Sequence, residues 1–211
     1  MLRRMTLVAA LISALAVPAH GQVTIGLSAF SGGYLPVSDL FDQTRLGTLP
    51  ILNLGQEPAV LVGGRLTVWL SRLAVEAEVA YALSKLDMPD LAKEYGVEDK
   101  AGVFLGSLNA LYVFFQAPFS PLSLYVSGGA GLVSRGGEYL ENNIEGTTDV
   151  AGAVGAGLRF GLGPLAHVRF DIRDYISSFK PTNRAGEELD AKLQNDIIAT
   201  LGLEFAFTPM R

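Results

Sequence analysis

Eight stretches of this chain alternate apolar residues with small or charged ones, and a period of two marks strands with unlike faces. They cover residues 23–31, 58–70, 73–84, 102–115, 122–133, 148–161, 165–176 and 195–207. The third, "LAVEAEVAYAL", puts Leu73, Val75, Ala77, Val79, Tyr81 and Leu83 on one side and Glu76 and Glu78 on the other. In the sixth, Val150, Val154, Leu158 and Phe160 oppose Asp149, Gly155, Gly157 and Arg159. In the seventh, Val168, Phe170 and Ile172 oppose His167, Arg169, Asp171 and Arg173. The fourth and fifth are less regular. Leu111 and Val133 fall on the polar parity, and the fourth is apolar on both sides near Phe114 and Phe115. No helical period competes; "DLAKEYG" at Asp90–Gly96 makes at most one turn within a loop.

The connections alternate in length. Those at 32–57, 85–101, 134–147 and 177–194 are long, whereas those at 71–72, 116–121 and 162–164 are short. Short turns at one end and long loops at the other describe an up-and-down antiparallel barrel. Eight strands is also the number at which a small barrel closes and fills its interior with side chains. Each segment has the ~9–11 residues, or slightly more, that a tilted strand needs to cross a bilayer. Apart from one in the leader, the prolines fall in loops, in turns, at a strand's first residue or after the last strand, where no ladder donor is lost. Aromatics gather at both predicted rims: Phe114, Phe115, Phe160, Phe205 and Phe207 at the short-turn end, and Tyr34, Tyr81, Phe104, Tyr175 and Phe179 at the other. Two such belts suit a membrane barrel, because amphipathic rings favour the headgroup level.

The N-terminus reads as an export leader. Arg3 and Arg4 precede an apolar run from Leu7 to Val17, and Ala19-His20-Gly21 supplies small residues for cleavage. The run is far short of the ~20 residues of a spanning helix. Residues 1–21 are therefore expected to be a cleaved signal peptide, and 22–211 the barrel domain. Removing the leader leaves 14 basic and 21 acidic side chains, a charge of −7, which argues against nucleic acid as a partner. With no cysteine in the chain, sheet closure and burial must hold the fold together.

This pattern resembles the eight-stranded outer-membrane barrels of the OmpA/OmpX type, along nearly all of the chain after the leader. The most specific stretch is "TLGLEFAF" near the C-terminus, followed by "TPMR". Thr200, Gly202, Phe205 and Phe207 match the fixed positions of the β-signal common in bacterial outer-membrane proteins. The resemblance implies an all-β, eight-stranded antiparallel up-and-down transmembrane barrel with short periplasmic turns and long extracellular loops. It further implies integral residence in the outer membrane of a Gram-negative-type bacterium, contact with its lipid, and recognition by the barrel-assembly machinery. A peptidoglycan-binding domain after the barrel is not expected, and a monomer is.

If the charged parity faces inward, the lumen receives Arg65, Glu76, Glu78, Arg159, Arg169, Asp171, Arg173, Asp196 and Glu204. Ionised groups in a narrow interior must be paired or hydrated, so a salt-bridged, side-chain-filled lumen is the expected state. A soluble barrel of lipocalin type would reverse the two faces. Catalysis and a metal site are not expected, since His167 is the sole histidine after the leader and no cysteine is present. No cofactor is expected either. These observations point to a structural protein that interacts through its loops, of which the first carries Leu49, Ile51, Leu52 and Leu54. The alternative is a narrow channel or small-solute conduit.

Overall fold

All eight alternating segments form strands in the computed structural model. The structure describes residues 23–37, 45–46, 49–50, 55–87, 101–136, 144–145, 148–179, 182–183 and 192–208. The signal peptide, Ile51, Leu52 and Leu54 lie outside them. The strands are β1 (Val23–Pro36), β2 (Ala59–Leu70), β3 (Leu73–Ala82), β4 (Val103–Gln116), β5 (Leu122–Arg135), β6 (Thr148–Gly161), β7 (Ala166–Phe179) and β8 (Lys192–Phe207). Each pairs antiparallel with its neighbours in sequence. β1 then pairs with β8, from Ile25 opposite Phe207 to Pro36 opposite Asp196, and the sheet closes. Closure leaves no strand of the barrel with an unpaired edge. Three separate two-residue ladders lie within the long connections: Arg45–Leu46 with Leu49–Pro50, Gly55–Gln56 with Leu86–Asp87, and Ile144–Glu145 with Thr182–Asn183.

Four strands run further than their alternation indicates: β5 continues to Arg135, β7 to Phe179, and β1 and β8 extend likewise. β1 continues to Pro36 because Gly32 and Gly33 blur the apolar contrast without breaking the ladder. β8 begins at Lys192, where its ladder with β7 starts at Phe179, although "KLQND" shows little apolar contrast between parities.

The faces separate as the parity requires. Leu73, Val75, Val79 and Tyr81 are exposed on β3, and Leu201, Leu203, Phe205 and Phe207 on β8. Glu76, Glu78, Asp196 and Glu204 on the same strands are buried. Leu111 and Val133 face inward on the polar parity, packed in the lumen. Asp174 is the one charged residue on the outward parity of the strands among the described residues. Its carboxylate accepts a hydrogen bond from Asn195 Nδ2 at 2.8 Å.

The rim aromatics divide. Phe114, Phe115, Phe160, Phe205 and Phe207 are exposed at the short-turn end, as are Tyr81 and Phe104 towards the other. Tyr34 and Tyr175 are not rim residues: both share the inward parity and lie buried in the lumen, where their hydroxyls meet carboxylates. The side chain of Phe179 lies outside the described residues. A bulge between Val113 and Phe115 accounts for the two adjacent phenylalanines of β4. The extra residue lets Phe114 and Phe115 both point outward while Val113 stays inside.

The tightest turn, Ser71-Arg72, holds Ser71 at φ 60°. A non-glycine residue in this left-handed region carries steric cost between its Cβ and the following carbonyl. Ser71→Gly is expected to raise stability by about 1 kcal/mol. Urea unfolding in detergent micelles reads this as a higher midpoint with an unchanged slope.

Candidate functional site

The inward parity fills the lumen in layers. At the short-turn end Trp69, Ala74, Leu111, Val113 and Tyr125 pack together, with the rings of Trp69 and Tyr125 edge to face at 6.1 Å. Above them four guanidinium groups meet four carboxylates: Arg65, Arg159, Arg169 and Arg173 against Glu76, Glu78, Asp171 and Glu204. Next comes an apolar slab that includes Leu61, Leu105, Val133 and Ile198. A second, smaller ionic layer caps it. There Arg135 Nη2 lies 2.5 Å from Asp196 and Nη1 lies 3.3 Å from Asp149, while the Tyr34 hydroxyl donates to Asp196 at 2.5 Å.

The central layer crosses the barrel. In a ring of eight strands β3 and β7 face one another across the full diameter, and the ion pairs run between them. Arg169 on β7 reaches Glu76 on β3 at 2.7 Å, and Arg173 reaches Glu76 at 3.0 Å and Glu78 at 2.8 Å. Arg65 on β2 spends its whole fork inside the layer. Its Nε donates to Glu78, Nη1 to Asp171 at 2.7 Å and Nη2 to Thr200 at 2.7 Å. Arg169 also donates to Glu204 at 3.0 Å and to the Tyr125 hydroxyl at 2.8 Å, and that hydroxyl in turn donates to Asp171. Tyr175 links the slab to the charges: its hydroxyl donates to Glu78 at 2.7 Å and lies 2.9 Å from Ser107.

Backbone without side chains makes room for these groups. A Cβ at Gly157 would lie 2.5 Å from the Tyr125 ring and 2.8 Å from Asp171 Oδ1. One at Gly202 would lie 2.8 Å from Cβ of Phe30 and 2.9 Å from the Ala29 carbonyl. Glycine at those sites permits a close approach that no other residue allows.

The nine charges expected in the lumen all lie there. Eight are almost wholly buried, and Arg159 keeps 19 % of its side chain open while its Nε binds Glu204 at 2.7 Å. Asp196 belongs to the upper layer, apart from the other eight. Parity missed several members. Arg135 lies at the end of β5, beyond the expected strand boundary, and Tyr34 and Tyr175 passed as belt aromatics. Thr67, Asn109 and Tyr125 carry no formal charge to draw notice, yet all three are buried and hydrogen-bonded. Among the β-signal positions, Thr200 lines the lumen against Arg65, Gly202 packs beneath Phe30, and Phe205 and Phe207 face outward. His167 lies at the short-turn mouth with Nδ1 lacking a hydrogen-bond partner, so no histidine–carboxylate couple of the kind nucleophilic catalysis uses forms through that nitrogen. Among the described residues no cluster of metal-ligating side chains occurs.

A closed eight-stranded antiparallel barrel, apolar outside and ionic within, is the architecture of the small outer-membrane β-barrel proteins, and this chain has that fold. The outer membrane protein OprG of Pseudomonas aeruginosa superposes with a TM-score of 0.63 at 12 % identity, over 90 % of this chain and 97 % of its own. AlkL, an outer membrane protein solved in lipid bilayers, gives 0.55 at 18 %, over 93 % and 94 %. Outer Membrane Protein W of E. coli gives 0.51 at 15 %, over 90 % and 100 %. No protein-family model matches the chain, and no curated protein matches it in sequence.

Removing one partner from a buried charge network strands the others. Arg169→Met would leave Glu76, Asp171 and Glu204 each without one cation and is expected to cost about 3–5 kcal/mol. Arg72→Gln, on the exposed turn, is expected to stay within about 0.5 kcal/mol of wild type. Urea denaturation of the refolded protein, followed by its gel shift on boiling, compares the two.

Proposed function

We propose that this chain is an integral outer-membrane protein with its short turns in the periplasm and its long connections at the cell surface. In this reading the barrel is a sealed scaffold, and the surface connections carry its interactions with a ligand or partner. The observation that supports sealing is the set of ion pairs running the full width of the lumen, from β7 to β3. Membrane residence rests on the outward face. Every strand presents apolar side chains there over a length that spans a bilayer, and a continuous apolar surface of that extent is not stable in water. Catalysis forms no part of the proposal.

The competing reading is a narrow conduit, which would require the central ion pairs to exchange partners as solute passes. Ion flux through liposomes carrying the refolded protein distinguishes the two. The sealed reading expects flux no greater than empty liposomes, for wild type and for Arg72→Gln alike. Steady flux that changes on neutralising Arg159 or Glu76 would establish the conduit instead. Failure to obtain a heat-sensitive folded form in detergent or lipid would overturn membrane residence.

Thr200, Gly202, Phe205 and Phe207 are assigned a second role as the assembly signal. Phe205 and Phe207 are the members free for recognition, because both rings face outward. The double variant Phe205→Ala, Phe207→Ala is expected to refold in detergent as wild type does, yet to accumulate several-fold less in the envelope of cells. Equal accumulation would remove the signalling role and leave the aromatics as rim residues.

A further inference from the structure

At the short-turn end the lumen opens into a cavity of about 480 Å³. Every strand except β3, together with two turns, contributes to its wall, which includes Trp69, Arg72, Gln116, Ser123, Arg159 and His167. Among the described residues none of those lining it is acidic, in a chain whose net charge is −5. The carboxylate closest to the mouth in the charge network, Glu204, is fully buried and is shared between Arg159 at 2.7 Å and Arg169 at 3.0 Å. Positive charge therefore outweighs negative where the network meets the cavity.

The side chains on that wall suit one class of guest. Arg159 engages Glu204 through Nε alone and keeps part of its fork open to the cavity. Its guanidinium carbon lies 5.0 Å from the centre of the Trp69 ring, which holds the planar group in place. Arg72 stands exposed on the adjacent turn. Thr24, Gln116 and Ser123 add hydroxyl and amide donors. Guanidinium forks match the paired oxygens of carboxylates and phosphates, whereas a cation would meet two arginines and no counter-charge. Enclosure strengthens that preference, because a recess screens charge less than open water does.

We propose that this cavity binds a small anion bearing a phosphate or carboxylate group, held by Arg159 and Arg72 beside the Trp69 ring. The site is independent of which side of a membrane this end faces, and of whether the lumen beyond it conducts.

Trp69 is the only tryptophan in the chain, so its fluorescence reports on this wall without labelling. The protein refolded in non-ionic detergent is titrated with inorganic phosphate, with citrate and, as a neutral control, with glycerol. The proposal expects a saturable change with phosphate or citrate and none with glycerol. Arg159→Gln is expected to raise the half-saturation concentration about tenfold. If that variant does not refold, Arg72→Gln is expected to raise it severalfold while leaving the gel shift on boiling intact. Iodide is expected to quench Trp69 more than caesium at equal ionic strength, and bound phosphate to reduce the iodide effect. A response that appears only in nanodiscs containing phosphatidylglycerol, and that Arg72→Gln weakens, would support the site and name a lipid headgroup as the source of the anion. No saturable response in either medium, or a response that Arg72→Gln does not alter, would overturn the proposal, whatever the quenching.

Discussion

The interaction on which the rest of this molecule depends is the attraction between β7 and β3 across the lumen. β7 presents Arg169, Asp171 and Arg173 at successive inward positions, and β3 presents Glu76 and Glu78. Two neighbouring glutamates would repel each other in a poorly hydrated interior, and so would two neighbouring arginines. Facing them across the barrel satisfies both strands at once, with Asp171 taking Arg65 and the Tyr125 hydroxyl between the arginines. Charges held this way do not need bulk water, but they need every partner. With the interior occupied by polar groups, the apolar half of each strand is left to face outward.

Much of this was legible in the sequence, for a simple reason. A period of two assigns every residue of a strand to one of two faces, and charges on one parity with Leu, Val and Phe on the other leave little choice of direction. Glu76, Glu78, Arg169, Asp171 and Arg173 stand out for that reason. Parity says nothing of height, however, so it did not separate Asp196 from the other charges, although an apolar slab lies between them. Nor does it weigh an aromatic that is polar at its tip. Tyr34 and Tyr175 suit a membrane rim and a buried carboxylate equally well, and only the register of β1 and β7 against their neighbours decides. Arg135 escaped notice because the alternation of β5 weakens before the strand ends. The bulge at Phe114 could not be seen in a pattern that assumes regular spacing.

The two ends of the barrel are not alike. Towards the long connections the lumen closes twice, first with the slab of Leu61, Leu105, Val133 and Ile198 and then with the layer around Arg135. Towards the short turns only the packing around Trp69 lies above the cavity, and Arg159 stands partly open there. The charged centre therefore lies nearer the opening on the turn side. On the other side, the apolar slab separates that centre from the layer around Arg135.

The pairs that bridge the lumen also join residues far apart along the chain. Arg169 and Glu76 are separated by 93 positions, Arg65 and Asp171 by 106, and Arg65 and Thr200 by 135. A sheet of the first six strands alone would hold Glu76, Glu78 and Arg65 without the arginines, aspartate and threonine that complete their shell. Such a sheet has two raw edges and an unsatisfied charged face, and no stable resting place in either lipid or water. Hairpins can form early and locally, but the barrel gains its stability only when β7 and β8 arrive and β8 meets β1. The central layer is therefore complete only in the closed barrel, and a chain truncated before β7 lacks partners for Glu76, Glu78 and Arg65.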